Sequence, residues 1–384
     1  MNDENHESPM FDKNGFIFCI KFILVLIILF FAVKFGSEYF TLLKIEVNNK
    51  NLVQNNTVNT SVATSTIYIV PKFEPSALSW SLATSSAEWK ARDSAVSFVF
   101  KDKIWTMGGL NGNKNVNSEH YVKYWEAPHF NDIWNSDDGV SWKLVNPKAS
   151  WSPRRSMSVV FFHDKLWMLG GWSTKYGYTS DIWQSEDGIN WRKVVSSAEW
   201  PAREGQVVEV FQDKIWLMGG VNYDKREAKN DIWYSDNGLK WYKATTTVPW
   251  GPRWDHDIEI FKDKIFLVGG MNLSGTTFRD VWSSADGINW ELVTNNPSWS
   301  ARQGHALVSY KNNLWIIGRL DDDKDGGIND IWYSEDGKNW KRTNTNPEWI
   351  GREDHSVLEF KDKLYVFGGM GSNWTWLNDV WVSQ

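Results

Sequence analysis

Cysteine is nearly absent from this sequence. The only one is Cys19, which precedes all of the repeats described below, so no intramolecular disulfide can form. A basic stripe is also missing: the 384 residues carry a formal net charge of −6, which argues against nucleic acid as a partner. Long apolar runs are missing as well, with one exception near the N-terminus. Stability must therefore come from packing, for which 27 tryptophans supply large apolar surfaces.

A repeat of 49 to 50 residues organises most of the chain. An Asp-Ile-Trp or Asp-Val-Trp step recurs with its tryptophan at positions 134, 183, 233, 282, 332 and 381. Periods in this range are typical of propeller blades, each of which is a four-stranded sheet that must stack on its neighbours. The spacing predicts six blades.

Each repeat predicts four short strands. In the third repeat the first strand covers 207–211, a tight turn follows, and the second strand covers 214–218 before Gly219-Gly220. The third strand carries Trp233, and a Ser-x-Asp/Asn-Gly hairpin leads to the fourth strand with Trp241. Antiparallel alternation then places the variable loop after Gly-Gly and the connection between blades on one face, and the short turns on the other.

The ends of the repeat region predict a closed ring. The chain stops after the third strand of the sixth repeat, so that blade lacks its fourth strand at the C-terminus. The segment around Trp80 matches the spacing around Trp191, the fourth strand of the second repeat. We therefore expect the strand in 76–84 to complete the blade that contains Gly368-Gly369 and Trp381.

The N-terminal quarter divides by composition into a polar tail (1–15), an apolar segment (16–35) and a linker rich in Asn, Thr and Ser (36–75). The apolar run of 18 residues from 16 to 33 is near the lower limit for a membrane span, and no small-x-small cleavage pattern follows it. This predicts an uncleaved transmembrane anchor that holds the propeller (76–384) to a membrane, on the extracytoplasmic side. The charges that flank the run do not settle its orientation.

The repeat motifs resemble those of kelch proteins. Arg-x-x-His occurs at Arg253/His256, Arg302/His305 and Arg352/His355, with a Gly-Gly pair and a later Trp at fixed spacing. The chain departs from this pattern at Ala95, Met157 and Gln206, and at Gly318-Arg319. The hairpins of the type Ser185-Glu-Asp-Gly-Ile-Asn-Trp191 are also similar to the Asp-box of sialidases, but they are one residue shorter between Ser and Trp. Both resemblances imply an all-β, six-bladed β-propeller, and neither fixes a function.

Features that all six repeats share are interpreted as scaffold, which leaves five tryptophans outside the repeat pattern. They fall on or beside the variable loops, together with several loop tyrosines, and the set predicted to bind a ligand is Trp125, Trp172, Trp254, Trp374, Trp376, Tyr176, Tyr178 and Tyr223. Aromatic side chains gathered on one face suggest a surface for sugar rings or a protein segment. The alternative is that they pin long loops to the ring.

Each repeat also carries one arginine and one aspartate on the loop face. We expect these to pair, for example Arg154 with Asp181 in the second repeat. An anion site would then need the unmatched bases Arg155, Arg226 or Arg319. The three histidines are interpreted as scaffold held by hydrogen bonds, and the acidic stretch 321–327 as a solvated loop rather than a calcium site.

Two classes of function remain open. The first is a membrane-anchored binding module for a glycan or protein ligand, without cofactor or metal. The second is a carbohydrate-active enzyme that resembles kelch-type sialic acid mutarotases or propeller hydrolases, with Arg203-Glu204 and Arg352-Glu353 as the nearest candidate residues. A copper oxidase that resembles galactose oxidase is disfavoured, because the tyrosine-cysteine crosslink that this resemblance implies needs a cysteine, and the propeller has none.

Overall fold

The computed structural model describes residues 73–112, 124–245, 248–321, 326–371 and 374–384. The predicted tail and anchor, and nearly all of the predicted linker, lie outside the described residues. Within the described part, no helix is long and apolar enough to cross a membrane. Residues 75–384 form one compact unit.

In the described part of this unit, thirty-two strands follow a 3-10 turn at Pro75–Ala77. The strands up to the end of the third blade are β1 (Trp80–Thr84), β2 (Val96–Phe100), β3 (Lys103–Met107), β4 (Ile133–Ser136), β5 (Trp142–Asn146), β6 (Arg154–Arg155), β7 (Ser158–Phe162), β8 (Lys165–Leu169), β9 (Trp172–Ser173), β10 (Gly177–Tyr178), β11 (Ile182–Ser185), β12 (Arg192–Val195), β13 (Val207–Phe211), β14 (Lys214–Met218), β15 (Val221–Asn222), β16 (Glu227–Ala228), β17 (Ile232–Ser235) and β18 (Tyr242–Thr245).

The remaining strands, in the fourth to sixth blades, are β19 (Asp257–Phe261), β20 (Lys264–Val268), β21 (Val281–Ser284), β22 (Glu291–Thr294), β23 (Ala306–Tyr310), β24 (Asn313–Asp321), β25 (Gly326–Ser334), β26 (Lys341–Arg342), β27 (Arg352–Glu353), β28 (Ser356–Phe360), β29 (Lys363–Phe367), β30 (Met370–Gly371), β31 (Thr375–Trp376) and β32 (Val380–Ser383).

Six antiparallel four-stranded sheets form the blades. Their strand orders are β2-β3-β4-β5, β7-β8-β11-β12, β13-β14-β17-β18, β19-β20-β21-β22, β23-β24-β25-β26 and β28-β29-β32-β1. The first strand of every blade contacts the first strand of the next, and β28 contacts β2. These six inner strands therefore surround the axis of a closed propeller.

The strand β1 closes the ring by pairing with β32, so that Trp80 lies opposite Ser383 and Leu82 opposite Trp381. This is the pairing that the matched spacing around Trp80 and Trp191 predicts. The strand is shorter than the predicted segment, because 76 and 77 belong to the 3-10 turn and the strand begins only at Trp80. A closed ring leaves the last blade with its outer strand in place.

The core lies between neighbouring blades. One cluster joins Trp105 of the first blade to Trp151, Met157 and Trp183 of the second, and similar clusters follow around the ring. Tryptophans also pack on one another within blades. In four blades besides the last, the tryptophan three residues before the repeat arginine packs edge to face on a fourth-strand tryptophan, with ring centres about 6 Å apart. An example is the pair Trp299 and Trp340, at 6.0 Å. Such pairs each add roughly 0.5–1.5 kcal/mol beyond the buried area.

The short turns lie together on one face of the propeller, which we call the turn face. In each Asp-box-like hairpin the serine hydroxyl accepts from the glycine amide, as in Gly188 N to Ser185 Oγ at 2.9 Å. The neighbouring Asp187 Oδ1 accepts from two further amides. Turns of adjacent blades also touch, for example through Lys101 Nζ and the carbonyl of Glu186 at 3.0 Å.

Candidate functional site

Six arginine–aspartate pairs form a repeated ring at the blade ends on the loop face, called here the rim ring. The pairs are Arg92–Asp132, Arg154–Asp181, Arg203–Asp231, Arg253–Asp280, Arg302–Asp330 and Arg352–Asp379. Their shortest nitrogen–oxygen distances run from 2.6 Å to 3.1 Å. The pairing expected from the sequence is therefore present in every blade.

The rim ring explains why four motif residues recur together. Arg154 donates through both Nη atoms to Asp181, and also to the carbonyl of Gly170, the first glycine of the Gly-Gly pair. Asp181 in turn accepts from Nε1 of Trp183 at 2.8 Å. Arg154 is fully buried, and such a fork-shaped network satisfies its charge. These arginines are occupied within the scaffold and do not form an anion-binding crown.

The residue after each rim arginine differs from blade to blade. We call these six residues the axial set: Asp93, Arg155, Glu204, Trp254, Gln303 and Glu353. Five of them begin a small loop sheet by pairing with the residue that follows the Gly-Gly pair. In the second blade this places Arg155 opposite Trp172, which is opposite Tyr178. Loop residues are thus aligned with the axial set by backbone pairing.

Arg155 is the central base of this site. Its Nε and Nη2 donate to the two carboxylate oxygens of Glu204 at 2.8 Å and 3.1 Å. Its guanidinium carbon lies 5.2 Å from the ring centre of Tyr124 and 5.0 Å from that of Trp172. Its Nη1 has no hydrogen-bond partner among the described residues. The side chain is therefore held on three sides, and its one donor atom without a partner, Nη1, is buried.

Carboxyl groups outnumber bases around Arg155. Burial raises the pKa of Asp93 well above its ordinary value, and Asp354 raises it further. Burial likewise raises the pKa values of Asp255 and Asp354. Burial would lower the pKa of Arg155, but Glu204 and Asp93 outweigh it and raise that pKa. The site can therefore offer both protonated and ionised carboxyl groups as hydrogen-bond partners.

Aromatic side chains from three blades surround the same point. The rings of Tyr223 and Trp254 meet edge to face, with centres 5.5 Å apart. Burial and the nearby Glu204 raise the pKa of Tyr178 to about 12. The ring of His129 lies 5.0 Å from that of Trp172 and is tilted against it by 42°. Burial lowers the pKa of His129 to about 4, which keeps its imidazole neutral.

A collar of six residues lies one position further along the chain: Ser94, Ser156, Gly205, Asp255, Gly304 and Asp354. All six have a positive φ, between 48° and 62°. Backbone hydrogen bonds link five of them in series, from Ser156 through Ser94, Asp354 and Gly304 to Asp255. No backbone hydrogen bond joins Gly205 to either neighbour in the collar. The series of backbone hydrogen bonds around the collar is therefore interrupted at Gly205, in the third blade.

The collar borders a cavity of about 290 Å³, the axial cavity, which continues along the first residues of the inner strands. Its lining includes the carboxyl groups of Asp255, Asp257 and Asp354 and the hydroxyls of Ser94, Ser156 and Ser356. No lysine or arginine lines it within the described part of the chain. Within that part there is also no group of three or more residues positioned to hold a metal ion.

The three histidines of the Arg-x-x-His motif are scaffold, as expected, but by packing. A Cβ on Gly219 would lie 2.5 Å from Cε1 of His256, so the ring fills the space that glycine leaves. Neither ring nitrogen of His256 or His305 has a hydrogen-bond partner in the described residues. Burial lowers the pKa of His256 to about 3. For His256 and His305, the predicted hydrogen-bonded role is therefore wrong.

The predicted ligand-binding aromatics divide into buried and exposed groups. Trp376 (3 % exposed) and Trp254 lie inside the loop layer, and Trp374 packs against the cluster that contains Trp376 and Leu110. For these three, position agrees with the loop-pinning alternative, because their rings are enclosed by neighbouring loops. Trp125 (54 % exposed) and Tyr176 reach the surface.

The three unmatched bases have different surroundings. Arg155 joins the axial set, whereas Arg226 is exposed in the turn between β15 and β16 with φ of 51°. Arg319 donates to the carbonyl of Ala301 at 3.2 Å and lies in β24, opposite Ile328 of β25. Of the three, only Arg155 lies among the axial carboxyl groups.

Sequence reasoning did not find the collar or the role of Asp93, Asp255 and Asp354. A signal was present: the position two residues after every rim arginine holds only Ser, Gly or Asp. Gly and Asp are among the residues that tolerate a positive φ. A comparison of the six repeats at that position would have identified the collar.

Comparison with known proteins follows this geometry. Residues 207–384, which begin at β13, match the family model described as the KLHDC2/KLHL20/DRC7 Kelch-repeats domain. The solved structure titled "Structure of YjhT" is similar with a TM-score of 0.61 and 14% identity, over 78% of this chain and 96% of that chain. No curated protein matches.

The fold and its loop-face site define an all-β propeller whose six blades share a scaffold and differ at the axis. The chain is a kelch-repeat β-propeller. At 14% identity the likeness to the solved structure extends to the fold alone.

Proposed function

We propose that this propeller is a binding module whose carbohydrate ligand enters the loop face at Arg155. The observation that carries the proposal is the convergence of side chains that the repeat does not require. Arg155, Glu204 and the aromatic rings beside them occupy one point near the axis, although they come from different blades.

The chemistry of this point suits a sugar better than a flat protein surface. Trp172 and Tyr178 lie side by side across a small sheet and can present ring faces to a pyranose. Nη1 of Arg155 and Oδ1 of the buried Asp93 have no partner among the described residues, so they supply one donor and one acceptor. A hydroxyl group can satisfy both kinds of partner. Pockets that combine apolar walls with a few fixed polar groups are the usual form of small-ligand sites.

The apolar segment 16–35 is part of the proposal. Its 18-residue run is long enough to span a bilayer near the lower limit, and the 36–75 linker separates it from the propeller. We propose a single-pass protein that carries the propeller on the extracytoplasmic side. Alkaline carbonate extraction of membranes should leave the full chain in the pellet, and recovery in the supernatant would contradict the anchor.

A glycan array probed with the full chain in mild detergent tests ligand binding. We expect a restricted set of glycans to bind. Replacing Arg155 with Gln should abolish that binding, because Nη1, its donor atom without a partner among the described residues, is lost. The matched control is Arg226→Gln, which removes the same charge from an exposed loop turn and should leave binding unchanged. Equal binding by both variants would contradict a site at Arg155, and capture of a protein segment instead of any glycan would contradict the ligand class.

A carbohydrate-active enzyme is the second candidate, favoured by one observation. Asp93 and Asp255 are carboxyl groups with raised pKa values near the ionised pair Arg155–Glu204, and such acids can donate a proton. Proton NMR of bound sugars over time would reveal anomer exchange or cleavage. An Asp255→Asn variant should then bind without turnover. Sugars that remain unchanged with the unmodified protein would exclude this candidate.

A further inference from the structure

We infer that the sugar bound at this site carries an ammonium group, and that this group enters the axial cavity between Asp255 and Asp354. The inference rests on the proposed function and names the chemical class of its ligand: an amino sugar whose amine is not acetylated.

The first step is the charge of the cavity. Three carboxyl groups line it, those of Asp255, Asp257 and Asp354, and no lysine or arginine does so within the described residues. Serine hydroxyls complete the polar lining, and the histidines that border it are buried and hold lowered pKa values. Burial raises the pKa values of these three carboxyl groups, and with no base among them a cationic ligand group would stabilise their ionised forms, whereas an anionic one would not.

The second step is that Arg155 does not balance this charge. It is the one base that influences Asp93, Asp255 and Asp354 alike. Both of its forked nitrogens are already engaged by Glu204. Because Arg155 is paired to Glu204, the acids Asp93, Asp255 and Asp354 have no paired cation among the described residues. An ammonium group would supply one.

The third step is an independent buried group near the cavity. Gln206 lines the cavity and is only 5 % exposed, and its Oε1 has no hydrogen-bond partner among the described residues. Its Nε2 already donates to Ser158 Oγ and to the carbonyl of Leu169. A buried acceptor without a partner is unfavourable by about 1–3 kcal/mol, which a donor on a ligand would remove. An ammonium group carries three such donors.

The fourth step is the position of Asp255. A Cβ at Gly205 would lie 3.2 Å from Oδ1 of Asp255, so this carboxyl group packs against the third blade beside the Arg155–Glu204 pair.

The test compares two sugars that differ only in acetylation. Oligomers of glucosamine and of N-acetylglucosamine, matched in length, are titrated into the full chain in mild detergent over a pH series from mildly acidic to mildly basic, because the amines lose their protons at high pH and the buried carboxyl groups keep theirs at low pH. We expect the glucosamine oligomer to bind at least about tenfold more tightly, because acetylation removes the charge that the cavity selects.

Isosteric variants locate the effect. Asp255→Asn and Asp354→Asn should each reduce the preference for glucosamine, and Asn tolerates the positive φ that both positions require. Asp137→Asn is the control, since it removes one carboxylate from an exposed position on the turn face. Thermal unfolding of each variant shows whether it is folded, and the two collar variants serve as replacements for each other if one is not.

The outcomes separate the two proposals. If the acetylated oligomer binds as tightly as glucosamine or more tightly, the ammonium inference is overturned while carbohydrate binding stands. If array glycans bind but neither oligomer does, the inference is overturned in the same way. If no glycan binds at all, the proposed function itself fails. A preference that Asp137→Asn reduces as much as the collar variants do would also overturn the inference.

Discussion

The rim ring and the axial set lie next to each other in the chain and differ in almost every respect. Arg154 and Arg155 are consecutive and both are bound to carboxylates. The first belongs to a network that occurs six times, and the second to an arrangement that occurs once. A charged pair that recurs in every blade stabilises the ring, whereas one that breaks the symmetry at the axis is available for an asymmetric ligand. Chemical type alone does not separate scaffold from site in this propeller.

The largest effect is expected from removing the segment that makes the six blades one ring. Deleting 76–84 removes β1 and the contact between Trp80 and Trp349, whose ring centres are 4.7 Å apart. We expect a loss of roughly 5 kcal/mol or more of unfolding free energy and a less cooperative calorimetric transition, because an inner sheet edge is exposed. Leu82→Ser is the control, since Leu82 lies on the same strand and is exposed. An unchanged melting temperature after the deletion would refute the closure argument.

Neutralising matched pairs in the two regions sharpens the comparison. Arg154→Gln with Asp181→Asn should destabilise the fold by about 3 kcal/mol, because the partners Gly170 and Trp183 lose their bonds as well. Arg155→Gln with Glu204→Gln should cost about 1 kcal/mol or less, because removing both charges leaves neither of them buried without its partner, and should abolish ligand binding. Chemical denaturation gives both values. Similar losses of stability from the two double variants would erase the distinction between rim and axis.

The loop tryptophans test how much of the loop face is scaffold. Trp376→Ala should cost about 3–5 kcal/mol of unfolding free energy, because its ring is enclosed with Leu110 and Met370. Trp125→Ala should change stability by less than about 1 kcal/mol, because that ring is mostly exposed. Parallel urea titrations measure both. A stable Trp376→Ala variant would return this residue to the list of surface anchors.

The next comparison concerns how the free energy of unfolding depends on pH. Burial raises the pKa of Asp257 from its ordinary value to about 7, so between roughly pH 4 and 7 the folded state retains a proton that the unfolded state releases. Stability should therefore fall as pH rises through this interval, by up to roughly 1.4 kcal/mol per pH unit for one group. Asp257→Asn should flatten this slope in urea unfolding measured across the interval, whereas the exposed control Asp137→Asn should not.

The rim aspartates should show the opposite sign. Arg154 lowers the pKa of Asp181 despite its burial, so this pair stabilises the fold above the ordinary pKa of an aspartate and loses that contribution on acidification. On acidification, the free energy of unfolding should therefore decrease less in the Arg154→Gln/Asp181→Asn variant than in the Asp257→Asn variant. Equal acid sensitivity in the two would contradict the assignment.

The repeat made most of the fold predictable. Period, turn chemistry and the Gly-Gly pair indicate four strands in each blade, and the bounds of β13 and β14 agree with those predicted. The rim pairing was also predictable, because one arginine and one aspartate recur on the same face. The candidate site was predictable only in part: Arg155 was identified as an unmatched base, while Asp93, Asp255 and Asp354 were not recognised. These three residues come together because of which blades meet at the axis, and the spacing of residues along the chain does not describe this.

The sequence by itself determined the number of blades, the strand that closes the ring and the division between repeated and unrepeated residues, because local pattern and period suffice for these. Tertiary structure alone decided that Arg155 is held by Glu204 from the next blade, that Trp254 and Trp376 face inward, and that the acids of three different blades gather around one cavity. Residues from 93 to 354 come together there because closing the ring brings the six inner strands around a common axis, and only that closure sets the distances between them.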